Sequence, residues 1–315
     1  MKRLLYPVDL SGNSSKMLPF VKTLASAFNS RIHVIHATLD IQEWEAKYYR
    51  VRSPEIFQQK LVKRAENMLA EFCRIHLPEH PDLYQKIAIG DPVMEILKVV
   101  EDKKIDCVVM GTHGRKGLEH TLFGSVAGNI IKRSPAPVIT INPARQFEKN
   151  GARLPEFRTV LFPLDFTDGT GPVLPYVKLF CQQFNCALYL LHVIDNVFSW
   201  GQTYSLTWDP RQVYREIKRN MEQLTQEKLS GISRIQQQIV FGDPATEILN
   251  TIDAQQIDLV IMGTHGRKGL ESTLFGSVAE NIVKRSVAPV MTVNPHINPY
   301  RIKAQSTCRE VMTAG

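Results

Sequence analysis

The chain has little of what disulfide-stapled or metal-stapled proteins depend on. It holds only five cysteines in 315 residues, at positions 73, 107, 181, 186 and 308. Their number is odd and most lie inside apolar segments, while Cys181 and Cys186 stand too far apart for a CxxC motif. This argues against a disulfide framework or a zinc site and for a reduced, cytoplasmic protein. No apolar run approaches the roughly 18 residues that cross a bilayer, so no membrane is expected as a partner. The opening Met1-Lys2-Arg3-Leu4-Leu5 resembles a signal n-region only until Asp9 ends the apolar stretch. There is no basic run interleaved with aromatics, which argues against a nucleic-acid partner. Neither of two nucleotide fingerprints, G-x4-G-K-S/T and G-x-G-x-x-G, is present.

What the chain does have, it has twice. Gly111-Thr112-His113-Gly114-Arg115-Lys116-Gly117-Leu118-Glu119 recurs letter for letter as Gly263-Thr264-His265-Gly266-Arg267-Lys268-Gly269-Leu270-Glu271. Over Gly111–Val138 and Gly263–Val290, 24 of 28 positions are identical at an offset of 152. So long a period exceeds the roughly 20–50 residues of a solenoid unit, so each copy is expected to be a whole domain. Hydrophobic content of 43% and charged content of 22% fit an ordinary globular protein with two cores. The expected boundaries are 1–144 and 157–295, with a linker at 145–156 and a C-terminal tail at 296–315. The net charge of +7 is uneven, +6 over residues 1–150 and +1 over 151–315. Solvated helix faces account for it, although anionic ligands would also suit it.

Each half reads as alternating strands and helices ending in a glycine loop, a helix and a last strand. In the first half the strands are Arg3–Val8, Arg31–His36, Tyr84–Ile89, Asp106–Met110 and Pro137–Ile141. The helices are Ser14–Phe28 with Ser14 as N-cap, Ser53–His76 with Ser53 as N-cap, Val93–Glu101 capped by Asp91, and Ser125–Arg133. The second half repeats the order, with strands Thr159–Leu164, Ala187–Val193, Ile235–Phe241, Asp258–Met262 and Pro289–Val293. Its helices are Val173–Phe184, Pro210–Leu229, Asp243–Asp253 and Ser277–Arg285. This alternation predicts an α/β fold: two tandem, doubly wound, Rossmann-like (HUP-type) domains, each with a five-stranded parallel sheet flanked by helices. The long segments after the second strands carry Trp44, Tyr48, Tyr49, Trp200, Tyr204 and Trp208, which suit either a lid or packing on their own domain.

The glycine loop follows the fourth strand, where open parallel sheets bind ligands. Glycines let backbone N–H groups approach an anion, and Gly124-Ser125 and Gly276-Ser277 each open a helix whose positive end faces the same place. The Ser125 hydroxyl could bond a phosphate or simply cap its helix. Arg115, Lys116, Arg267 and Lys268 could screen phosphate charge or be solvated. His113 and His265 have no visible acidic or nucleophilic partner that would make them catalytic bases.

The pattern G-x2-G-x9-G-S/T after the fourth strand resembles the ATP-binding motif of the universal stress proteins (UspA-like). Further motifs carry the resemblance in order through both halves. Leu5-Tyr6-Pro7-Val8-Asp9 and Leu161-Phe162-Pro163-Leu164-Asp165 are similar to the family's first strand and acidic turn. Ile35-His36-Ala37 and Leu191-His192-Val193 are similar to the end of its second strand. Gly90-Asp91-Pro92 and Gly242-Asp243-Pro244 resemble its third-strand turn, and Ala136-Pro137-Val138 and Ala288-Pro289-Val290 its last strand. The resemblance implies a tandem member with one ATP (or ADP or AMP) site per half, with Mg2+ as a further candidate. It implies that Asp9 and Asp165 hold the ribose hydroxyls and that backbone at Ala37 and Val193 reads the adenine edge. Gly111 and Gly263 would lie beside the ribose. Gly114, Gly124, Ser125 and Val126, with Gly266, Gly276, Ser277 and Val278, would surround the phosphates. Pro7, Val8, Pro163 and Leu164, leading into the aspartates, complete the expected set. Asp9 also suits a plain turn former after a strand.

Three functions compete. The first is a nucleotide-binding, stress-responsive regulatory protein without dedicated catalytic residues. The second is a scaffold with unused sites that binds proteins or another small molecule. The third is an adenylating or ATP-hydrolysing enzyme, against which stand the absence of an S-G-G-x-D-S run and of paired acidic clusters for magnesium. The last strands of the two halves, 137–141 and 289–293, are expected to pair in an intramolecular pseudo-dimer, and a homodimer of the whole chain would be compatible.

Overall fold

The computed structural model describes residues 1–43, 53–80, 82–112, 124–142, 155–167, 169–195, 210–264 and 275–297. The six aromatics of the long segments lie outside the described residues, as do Gly114, Gly266 and the loop histidines and cations. The first half runs β1 (Arg3–Pro7), α1 (Gly12–Lys16), α2 (Leu18–Phe28), β2 (Arg31–Thr38), α3 (Pro54–His76), β3 (Tyr84–Ile89), α4 (Pro92–Asp102), β4 (Cys107–Gly111), α5 (Ser125–Arg133) and β5 (Val138–Ile141). The second half follows with β6 (Thr159–Pro163), α6 (Leu174–Phe184), β7 (Ala187–Asp195), α7 (Pro210–Lys228), β8 (Ile235–Gly242), α8 (Pro244–Ala254), β9 (Leu259–Gly263), α9 (Ser277–Arg285) and β10 (Val290–Val293).

All ten strands form one sheet, in the order β3-β2-β1-β4-β5-β10-β9-β6-β7-β8. Pairing is parallel within each half, and the expected pairing of the last strands is present as an antiparallel seam, with Met291 opposite Ile139. Thr140 Oγ1 donates to the Val290 carbonyl and Thr292 Oγ1 to the Val138 carbonyl, each across 3.2 Å. Strand order reverses between β1 and β4, and again between β6 and β9, which opens a crevice at the carboxyl end of each half's sheet. The antiparallel seam points the two crevices in opposite directions.

Both faces of the sheet are covered at its middle, so the inner strands β1, β4, β5, β6, β9 and β10 are nearly continuously apolar, while the edge strands β3 and β8 carry exposed polar residues. Leu4, Tyr6, Val160 and Phe162 belong to the core beneath α2, α3, α6 and α7. Leu5 and Leu161, pointing the other way, belong to the core beneath α4, α5, α8 and α9. The first of these cores crosses the seam. Phe28 packs edge-on against Phe180 and Phe184, with ring centroids 5.4 and 5.7 Å apart, and Phe157 closes the cluster 4.8 Å from Phe184.

Local chemistry explains where elements begin and end. The helix predicted over Ser14–Phe28 is two helices, because Pro19 in the first turn of α2 has no N–H to continue the ladder from α1. Both α2 and α6 end on an asparagine in the left-handed region, Asn29 at φ 48° and Asn185 at φ 49°. Ser53 does not cap α3 as predicted; it sits at φ 57° and its side chain makes no cap bond. Asp91 and Asp243 do cap α4 and α8, accepting from the Met94 and Thr246 N–H groups at 2.9 Å. Asp243→Ala is therefore expected to cost about 1 kcal/mol, measured by urea denaturation.

His33 on β2 supplies a pH dependence. The side chain is buried and neither ring nitrogen finds a hydrogen-bond partner. Burial pushes its pKa down from 6.5 to about 4, helped by Arg31, Arg3 and Lys103. The Tyr84 ring lies 5.0 Å away, with the Lys103 ammonium over its face. The folded state thus refuses a proton that the unfolded chain accepts. Stability is complete above about pH 6.5 and is lost as pH falls towards 4. Between pH 7 and pH 5 the loss from this group is expected to be about 2 kcal/mol, and His33→Phe removes it. Urea midpoints at the two pH values measure the difference.

Candidate functional site

At the crevice of the second half is a cavity of about 470 Å³, within the roughly 300–1,000 Å³ of small-molecule pockets. Three elements converge on it: the end of β6, the end of β7, and the entry from β9 into α9. Pro163, Leu164, Asp165, Val193, Gly263, Gly276, Ser277 and Val278 all line it. These are the expected residues of this half except Gly266, which lies outside the described residues. The corresponding first-half residues occupy equivalent positions. Pro7 ends β1 and leads through Val8 to Asp9, Ala37 lies in β2, Gly111 ends β4, and Gly124, Ser125 and Val126 enter α5. Gly114 lies outside the described residues.

Each aspartate is held in a turn of its own. Asp9 Oδ1 accepts from the Ser11 N–H at 2.9 Å, the Ser11 hydroxyl at 2.6 Å and the Ser14 hydroxyl at 2.7 Å. Asp165 Oδ1 accepts from the Thr167 N–H at 3.1 Å and from the Thr167 and Thr170 hydroxyls at 2.8 and 3.3 Å. The turn-forming role considered for Asp9 is thus filled by one carboxylate oxygen, and Asp165 repeats it in the second half. Ser14, expected to cap a helix, instead donates to this carboxylate, while Ser11 caps α1. The next residue is left-handed in both halves, Leu10 at φ 58° and Phe166 at φ 56°. Bulky residues rarely adopt that conformation, and such strain is kept where the surroundings over-determine a site.

Two buried histidines, not singled out as site residues from the sequence, fix the strand ends. His36 Nδ1 donates to the Val8 carbonyl at 2.8 Å and His192 Nδ1 to the Leu164 carbonyl at 2.6 Å. A carbonyl only accepts, so the proton is on Nδ1 in both rings. Each ring therefore bridges the end of one strand to the residue just before the aspartate on its neighbour. The recurrence of His in both second-strand motifs was the available signal.

The entry to α5 and α9 is built for close backbone approach. The Gly124 N–H donates to the Thr112 carbonyl at 2.8 Å, and the Gly276 N–H to the Thr264 carbonyl at 2.9 Å, closing the loop between them. A Cβ on Gly124 would lie 2.9 Å from that carbonyl oxygen, so a side chain there forces the loop closure apart. Glycine holds the N-cap position in both helices, and neither makes a side-chain cap bond. Ser125 and Ser277 are the first helical residues, so the capping role considered for Ser125 is not the one it plays. A helix start without a side-chain cap presents N–H groups and positive dipole to the crevice.

The halves differ at the cavity wall. Asp195 ends β7 and lines the cavity with Asp165 and Asp243. Aligning the two histidines puts Leu39, half-exposed just beyond β2, at the place of Asp195. No group of three metal-binding side chains occurs among the described residues, and none of the described helices is long and apolar enough to cross a membrane.

Comparison with known proteins gives consistent matches. The profile of the universal stress protein family matches twice, over residues 1–142 and 156–294. A universal stress protein of Methanocaldococcus jannaschii is 29% identical over 153 residues, covering 44% of this chain and 94% of that protein. One of Mycolicibacterium smegmatis is 24% identical over 304 residues, covering 93% of this chain and 97% of that protein. The crystal structure of a universal stress protein from Archaeoglobus fulgidus superposes with a TM-score of 0.70 at 22% identity, covering 93% of this chain and 98% of that one. This last likeness concerns the fold.

Proposed function

The chain belongs to the universal stress protein family, and on that premise we propose that each half binds one adenine nucleotide, ATP or its diphosphate or monophosphate. The protein acts by binding, as a cytoplasmic regulator whose occupancy alters its partners, and not by turnover. The observation that carries this reading is the cavity of about 470 Å³ whose wall gathers the aspartate, the second-strand backbone and the helix entrance of the second half.

The chemistry assigns an end of the nucleotide to each part. Asp165 Oδ1 is engaged by its own turn, and Oδ2 is the oxygen offered to the ribose hydroxyls, a carboxylate being purely an acceptor. Backbone at Val193 meets the base. Gly276, Ser277 and Val278 receive the phosphates on N–H groups at the positive end of α9. Asp9, Ala37, Gly124, Ser125 and Val126 take the same parts in the first half, where Asp9 Oδ2 is buried and has to be uncovered to meet the ribose. Any Mg2+ arrives on the phosphates, since the described residues supply no cluster to hold it alone.

Heating the full chain with and without Mg-ATP tests the reading. At 100 times the dissociation constant, each occupied site adds about 2.7 kcal/mol of stability. No shift at millimolar nucleotide favours the scaffold, and sustained release of ADP or AMP favours an enzyme.

A further inference from the structure

Cys181, near the end of α6, and Cys186, just before β7, are far apart by motif standards yet meet in space. The Cys186 N–H donates to the Cys181 carbonyl at 3.2 Å, and the left-handed Asn185 between them donates to the same oxygen. Each thiol is the largest influence on the other's protonation, which sets the two sulfurs side by side. The Cys186 S–H donates to the Phe180 carbonyl at 3.8 Å. A disulfide needs Cα atoms about 4.4–6.8 Å apart, and a six-to-one backbone hydrogen bond at a helix end brings its two residues that near.

We propose that Cys181 and Cys186 are an oxidisable dithiol of the second half, closing to an intramolecular disulfide with a hydroperoxide or a low-molecular-weight disulfide as oxidant. With hydrogen peroxide, the Cys186 thiolate attacks one oxygen, the O–O bond breaks, and hydroxide leaves and is protonated to water. Cys181 then attacks the resulting sulfenic sulfur, the S–O bond breaks, and a second water departs. The two thiols lose two electrons and two protons in all, and the peroxide is reduced. With a disulfide such as oxidised glutathione, two thiol–disulfide exchanges release two reduced thiols.

The division of labour follows from the surroundings. The neighbouring Cys181 thiol and the charge of Arg234 both favour the Cys186 thiolate and hold its pKa below the ordinary thiol value. Arg234 is fixed there by its bond to the Asn185 carbonyl at 2.8 Å. Burial has the opposite effect on the solitary thiols, raising Cys73 to about 11 and Cys107 to about 12. Those two stay protonated and inert at neutral pH. Cys181 and Cys186 are themselves buried, but hydrogen peroxide is little larger than water, and the last turn of a helix opens more readily than its middle.

The first half provides a built-in control. Its counterparts are Ala25 and Ser30, joined by the same backbone bond at 2.8 Å across the left-handed Asn29. The turn therefore forms without sulfur, and Cys181→Ala and Cys186→Ser place the first half's own residues in the second.

The full chain is exposed to hydrogen peroxide, or separately to oxidised glutathione, then alkylated in denaturant and digested with trypsin. Both cysteines fall in the peptide of residues 179–211. Most of this peptide is expected to have lost two hydrogens and to resist alkylation until reduced, while Cys73 and Cys107 take the label. Chain unfolded in urea loses that selectivity. Cys181→Ala keeps the circular dichroism of the parent, gives no internal disulfide, and leaves Cys186 as a sulfenic acid or a glutathione adduct. The proposal is overturned by oxidation of Cys73 or Cys107 at the same rate, by a bridge from either thiol to Cys308, or by no oxidation of the folded chain.

Discussion

Asp165→Ala is expected to weaken adenine-nucleotide binding at the second half about 100-fold and to leave the first half unchanged. Two ribose hydroxyls donating to one carboxylate are each worth about 1.5–3 kcal/mol. Losing both removes at least the 2.7 kcal/mol that corresponds to a factor of 100. Asp9→Ala is the mirror experiment and should silence the first half alone. The two crevices open in opposite directions, because the seam between the halves is antiparallel, so the effects should be separate. Displacement of a fluorescent adenine nucleotide by ATP measures each affinity. Asp165 also ties down Thr167 and Thr170, so thermal unfolding of the ligand-free variant must stay within a few degrees of the parent for the loss to be one of binding. Equal affinity in parent and variant would remove the carboxylate from the site.

Phe180→Ala should produce the largest loss of stability from one substitution, about 4 kcal/mol. Its ring is wholly buried and meets Phe28, Phe157 and Phe184. Phe28 belongs to the first half, so the cavity left behind weakens both halves at once. Urea unfolding of parent and variant is expected to proceed in a single transition, with the midpoint of the variant shifted down. Two resolved transitions, of which only the later-numbered half moves, would show that the aromatic cluster does not unite them. The seam adds to this unity through Thr140 and Thr292, and Gln183 Nε2 reaches the Ala27 carbonyl at 2.6 Å.

Much of this was legible in the residues. Buried parallel strands are continuous apolar runs, so β1, β4, β6 and β9 stand out from their surroundings, and Asp91-Pro92 and Asp243-Pro244 announce helices through a cap and a first-turn proline. The glycine spacing marked the helix entrances because few other arrangements need so many positions without Cβ. Gly124 shows the reason, a carbonyl 2.9 Å from where Cβ would be. Other features depend on tertiary pairing that no local pattern carries. Ser14 reads as a helix cap in isolation, yet the strand end beside it presents Asp9, and the hydroxyl turns to that charge instead. His36 and His192 read as strand residues until the neighbouring carbonyls of Val8 and Leu164 are in place. Cys181 and Cys186 fail every motif spacing, and only the left-handed Asn185 folds one back onto the other.

The central claim, a nucleotide in each crevice, is met most directly by calorimetric titration of the full chain with Mg-ATP. The account predicts a stoichiometry near two ATP per chain, falling to one in Asp165→Ala and to none when Asp9→Ala is added. Absence of binding heat in the parent at several temperatures, or a stoichiometry of two that survives both substitutions, would contradict it.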